Sequence, residues 1–124
     1  MSTPDGLRVA DAARRLAEEV IVAVEECPRH DHGKVRAQLA AAANSVGANI
    51  AEGCGRDTPA EQLRYFRMAR GSLDEVRHHL RVCVGTGLLS QKAFQHLWNL
   101  ATVTRRMLCA LIVRLERKPP DPRP

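Results

Sequence analysis

The sequence predicts an all-α protein, an antiparallel up-and-down four-helix bundle. Apolar residues recur at helical spacing in four segments, short turn-rich stretches separate them, and aromatic residues make up only 3% of the chain. With so few rings, the core has to be built from Leu, Val, Ile and Ala. That composition suits helix-on-helix packing and disfavours a sandwich or barrel, which draws on aromatic and β-branched runs.

The first segment runs from about Leu7 to Cys27, with Val9, Ala13, Leu16, Ala17, Val20 and Val24 on one face. Pro28 ends it, and Arg29-His30-Asp31-His32-Gly33 makes a polar connection. The second spans about Lys34 to Cys54, repeating Val35, Leu39, Ala42, Ala43, Val46 and Ile50, with Gly53 and Gly55 marking its end. The third opens on Thr58-Pro59-Ala60-Glu61, which offers an N-cap hydroxyl, a proline at the first helical position and a capping-box glutamate. Its apolar face is Tyr65, Phe66, Ala69, Leu73, Val76, Leu80 and Cys83, and Gly85-Thr86-Gly87 stops it. The fourth runs from about Ser90 to Arg117, with Phe94, Leu97, Leu100, Ala101, Leu108, Leu111 and Leu115 inward. Pro119-Pro120-Asp121-Pro122-Arg123-Pro124 cannot continue a helix and is expected to be a loose tail.

Long helices joined by short loops pack antiparallel to their neighbours, so residues 1–118 are expected to form one bundle, followed by the 119–124 tail. A chain of 124 residues is enough for one modest core. No apolar run approaches the roughly 18 residues that cross a bilayer, and the N-terminus lacks the layout of a secretory signal. The expected location is the cytoplasm, with the four cysteines reduced. In the bundle Cys27 and Cys83 share one end, and Cys54 and Cys109 the other. Each pair lies on diagonal helices, beyond the roughly 7 Å Cα separation that a disulfide tolerates.

The net charge of +5 is unevenly split. Residues 1–62 hold seven Lys/Arg against ten Asp/Glu, whereas residues 63–124 hold twelve against four. The second half therefore calls for an acidic partner, or an acidic surface of its own kind.

Two stretches are unusually specific. One is Ser45-Val46-Gly47-Ala48-Asn49-Ile50-Ala51-Glu52-Gly53-Cys54-Gly55-Arg56. The other is Arg64-Tyr65-Phe66-Arg67-Met68-Ala69-Arg70-Gly71-Ser72-Leu73-Asp74-Glu75, followed by Gly87-Leu88-Leu89-Ser90. Together they resemble the bacterial four-helix-bundle family of intervening-sequence proteins, whose genes were first noted inside insertions of large ribosomal RNA genes. The resemblance covers Leu7 to Glu116. It implies a homopentamer without enzymatic activity. It also implies kinship with an accessory subunit of reverse transcriptases in diversity-generating retroelements, whose basic surface engages nucleic acid and the polymerase. The chain departs from the family pattern at Val9 and Ala10, where an aromatic is usual, at Ala40 and Ala41, where arginines are often paired, and at Gly47, where a proline is usual.

Three constellations are candidates for function. Ser45, Asn49, Glu52 and Arg56 fall on one stripe of the second helix, either as a polar seam that fixes register or a subunit contact, or as a ligand site. Arg67, Arg70, Arg77 and Arg81 share a narrow arc of the third helix, with Asp74 interrupting and Arg64 beside it. They form either a solvated face or a phosphate-binding row for RNA or DNA. The fourth helix carries a second apolar flank of Trp98, Thr102, Cys109, Ile112 and Val113 with Arg105 among them, read as an oligomer interface anchored by Trp98 or as core filling.

No metal or cofactor is expected. Cys27-x-x-His30 lacks a second half, and Glu75-x-x-His78 occurs once where a di-iron bundle needs two copies. His32 and His79 read as ordinary surface histidines. The expected function is a non-enzymatic oligomeric scaffold whose basic second half meets RNA or DNA. The alternative is a protein–protein adaptor such as a reverse transcriptase accessory subunit.

Overall fold

The computed structural model describes residues 4–27 and 32–117. The expectations placed on Pro28, Arg29, His30 and Asp31, and on the tail from Pro119 to Pro124, lie outside the described residues. Four helices follow in order: α1 (Pro4–Glu25), α2 (Gly33–Cys54), α3 (Pro59–Gly85) and α4 (Gln91–Glu116). Each packs against its neighbours in sequence, α4 closes back onto α1, and the diagonal pairs do not approach one another. This is the antiparallel all-α bundle that the sequence predicts.

Helix α1 begins one turn before Leu7. Pro4 takes the first turn, where its missing N–H costs nothing, and Asp5 follows where the helix dipole favours a carboxylate. Helix α2 starts after His32, a non-glycine residue in the left-handed region at φ 58° whose carbonyl accepts from the Val35 and Arg36 N–H groups. The cap expected at the third helix is present: the Thr58 hydroxyl accepts from the Glu61 N–H at 3.2 Å. Ser90 caps α4 in the same way, accepting from Ala93 N at 3.0 Å. Between α3 and α4, Gly87 adopts φ 80°, and Leu89 N–H reaches back to the Cys83 carbonyl. That turn drives Leu88 and Leu89 into the core, closing one end of the bundle.

The core is aliphatic, as the composition requires. Leu16, Leu39, Ile50, Leu73, Leu80, Leu97 and Leu108 are all fully buried. Gly53, in the last turn of α2, and Gly55, its C-cap, mark the end of that helix where the sequence puts it. A methyl in place of the Gly53 hydrogen would sit 2.6 Å from Phe66 Cε1, so this glycine permits close α2–α3 contact. One expectation changes. Ile112, assigned to an outer flank of the fourth helix, is 1% exposed and belongs to the core, because α4 rotates it toward the bundle axis beside Leu108 and Leu115.

All four cysteines are free. Cys27 Sγ donates to the Leu88 carbonyl at 3.1 Å, at the end of the bundle that also holds Cys83. Burial pushes the Cys54 and Cys83 thiols above their ordinary value, with the neighbouring Cys27 adding to the effect at Cys83.

Candidate nucleic-acid interface

Two stripes that look separate in the sequence meet on one face. Antiparallel packing of α3 and α4 lays the arginine arc of α3 along the Trp98 flank of α4. Arg77 and Arg81, one turn apart on α3, place their guanidinium carbons 4.6 Å and 4.8 Å from the centre of the Trp98 ring. Toward the other end, Arg105 Nε of α4 donates to Asp74 Oδ1 of α3 at 3.0 Å, and Arg67 Nη2 of α3 donates to Glu116 Oε2 of α4 at 2.9 Å.

The electrostatics follow from these pairs. The Asp74 carboxylate holds the Arg105 guanidinium even further above its usual range, while Arg105 Nη1 leans on Cys109 Sγ at 3.6 Å. Arg70, between the two ion pairs, has no salt-bridge or hydrogen-bond partner among the described residues. Arg77 Nε and Thr102 Oγ1 are buried in the seam without a hydrogen-bond partner among them. The face therefore carries the guanidiniums of Arg67, Arg70, Arg77, Arg81 and Arg105 against the carboxylates of Asp74 and Glu116.

Arg64 departs from the arc. Its guanidinium lies 5.8 Å from the Tyr65 ring, which Arg56 covers from 4.7 Å. Of Trp98, Arg105 and Cys109, read from the sequence as an oligomer interface, Trp98 meets Arg77 and Arg81 of α3, Arg105 meets Asp74 of α3, and Cys109 lies beside Arg105; all three stay partly exposed. The flank looked unpartnered because the sequence does not say which neighbour leans over it.

The polar stripe of α2 divides in two. Ser45 Oγ and Ser72 Oγ of α3 are 3.0 Å apart, and Asn49 Nδ2 donates to the Ser45 carbonyl at 3.0 Å and to Ser45 Oγ at 3.2 Å. This half is partly buried and joins two helices. Glu52 faces solvent and pairs, among the described residues, with Arg56 one turn on at 3.3 Å, while Arg56 Nη2 also donates to the Tyr65 hydroxyl at 2.9 Å. Gln62, 4% exposed, completes the corner by donating to the Arg56 carbonyl.

A sequence profile of the 23S rRNA-intervening sequence protein family matches residues 5–110, which include the arginine arc, the α2 signature and α4 as far as Ala110. The chain belongs to this family. No curated protein matches it. Among solved structures it is similar to a protein of unknown function from the S23 ribosomal protein family of Bacteroides thetaiotaomicron VPI-5482. That match has 17% identity and a TM-score of 0.82, and covers 88% of this chain and 98% of that one. At that identity the likeness shows the fold alone.

The family signature has a structural account here. In Ala48-Asn49-Ile50-Ala51-Glu52-Gly53, Asn49 ties back to Ser45, Ile50 is core and Gly53 seats Phe66. Ser72, in Gly71-Ser72-Leu73, is the α3 partner of Ser45, and sequence reasoning missed it because a polar residue on an inner face breaks the apolar period. It also missed two grooves. One, about 320 Å³, is lined by Gln38, Ser45, Ser72, Glu75 and His79. The other, about 400 Å³, runs between α1 and α2 over Ala10, Ala13, Ala17, Gly47, Ala48 and Ala51. Among the described residues no group of three or more His, Cys, Asp or Glu is arranged to hold a metal, and no helix is long and apolar enough to cross a membrane.

Proposed function

We propose that this member of the intervening-sequence family is a non-enzymatic, cytoplasmic, oligomeric scaffold that binds RNA or DNA through its α3/α4 face with little sequence readout. The observation that carries this reading is the charge of that face, where five guanidiniums stand against two carboxylates. Such a surface neutralises phosphates and releases their counterions, a term that depends on backbone charge and not on base identity. The hydroxyls of Ser45 and Ser72 bond to each other and not to an imidazole, which favours a binding role over nucleophilic catalysis. Fluorescence anisotropy with generic RNA and DNA should show affinity that falls steeply as salt rises. An absence of binding at low salt would defeat the reading.

Self-association is the second part of the proposal. Helix α1 carries five carboxylates against three arginines, and the apolar α1/α2 groove beside it, lined by Arg14 and Glu18 at its rim, is bordered by Ile21, 37% exposed. This edge lies opposite the basic α3/α4 edge. Unlike edges on opposite sides of one chain favour head-to-tail contacts that close into a ring, in keeping with the pentamer that the family resemblance implies. Light scattering of the native chain should give a multiple of 13.7 kDa, and Ile21→Glu should lower it with the helices intact. A monomeric mass for the native chain would refute the ring. The same apolar groove favours the adaptor reading, in which a protein such as a reverse transcriptase is the partner; tight protein binding without nucleic-acid affinity would select it.

A further inference from the structure

We infer that the α3/α4 face recognises duplex nucleic acid in preference to single strands, by its phosphates alone. This inference rests on the nucleic-acid reading and narrows its substrate. The chain has four Phe, Tyr and Trp residues. Phe66 is 3% exposed and fills the core. Trp98 lies under Arg77 and Arg81 at 4.6 Å and 4.8 Å, and Phe94 packs against Trp98 with ring centres 5.4 Å apart. Tyr65 is covered by Arg56 and Arg64 at 4.7 Å and 5.8 Å. Both rings that could receive a base are already faced by two guanidiniums each.

Proteins that hold single strands combine a basic groove with open aromatic faces on which bases stack. Here the platform is taken, and stacking a base would require an arginine to leave its ring. A guanidinium lying on a ring keeps its outer N–H edges free, and those edges suit phosphate oxygens. At Arg77 this is sharpened by the burial of Nε without an acceptor, which leaves the terminal nitrogens to meet a partner.

Charge density then chooses between strands and duplexes. A duplex carries a charge about every 1.7 Å, and each neutralised phosphate contributes about 0.9 to the salt exponent, against about 0.7 on a single strand. From Arg67 to Arg81 the row is a straight ridge of about 21 Å, a rigid edge suited to a rigid helix of phosphates. With about four phosphates neutralised, the difference in exponent favours the duplex by about tenfold near 50 mM salt.

The test measures native protein against a duplex and a polythymidine strand of equal phosphate number by anisotropy, following the emission of Trp98, the one tryptophan. The expected result is about tenfold tighter binding to the duplex, whatever its sequence, without the strong Trp98 quenching that base stacking produces. Equal or tighter binding to polythymidine, with Trp98 quenched, overturns this inference and leaves the nucleic-acid reading standing. Binding to neither overturns both.

Discussion

Gly53 and Phe66 set how closely α2 and α3 approach. A methyl at Gly53 would lie 2.6 Å and 2.8 Å from two carbons of the Phe66 ring, which is itself held in the core. Gly53→Ala should therefore destabilise the bundle by about 1–3 kcal/mol through overpacking, although alanine is the better helix former. Thermal denaturation measures this, and an unchanged or raised midpoint would mean that the ring has room to turn. At this scale much was legible from period alone: Val9, Ala13, Leu16, Val20, Leu39, Val46 and Ile50 are buried where helical spacing puts them. Polar residues were less legible. Glu52 shares its stripe with Ser45 but its side chain is exposed, so its pair with Arg56 is a surface one of small worth. Ser72 is buried because it reaches Ser45 on another helix, and Gln62 because it reaches back to the Arg56 carbonyl in the α2–α3 turn, information that the apolar period does not carry.

Helices α1 and α4 are joined by polar clasps at two heights. Asp5 pairs with Arg114 near one end, and Glu19 pairs with His96 toward the other. The hydrogen bond from His96, then that from Arg15, holds the Glu19 carboxyl below its ordinary value despite some desolvation. A lowered native value means that the clasp's contribution is present above the ordinary carboxylate range and is lost as the pH falls through the native value. His96→Ala should raise the Glu19 carboxyl toward its ordinary value while leaving the Arg15 contact. A side-chain carboxyl NMR titration reads this directly, and an unmoved titration would show that Arg15 alone sets it. Caps such as Thr58 could be read from sequence because their partners lie within one turn. The clasps could not, because they depend on the vertical register between antiparallel neighbours, which loops and core packing set together. The same gap hid the meeting of Arg77 and Arg81 with Trp98.

The whole molecule separates its charge. Helix α1 carries five carboxylates against three arginines, with Arg14 and Arg15 paired to carboxylates of the same helix and Asp5 and Glu19 turned toward α4, whereas the arginine ridge of α3 and α4 gathers five guanidiniums against two carboxylates on one face. That asymmetry was visible in the sequence, and the order of helices around the bundle turns it into geometry. If the proposed binding belongs to this face, and not to net positive charge in general, it should depend on where charge is reversed. Two variants of equal charge change test it. Arg70→Glu with Arg77→Glu reverses the ridge, whereas Arg8→Glu with Lys34→Glu makes the same change on the exposed surfaces of α1 and α2. Anisotropy with a generic duplex at low salt, beside circular dichroism to confirm the helices, compares them with the native chain. The ridge variant should lose binding and the distant variant should keep most of it. Equal losses in the two variants, or full retention by the ridge variant, would contradict the proposal.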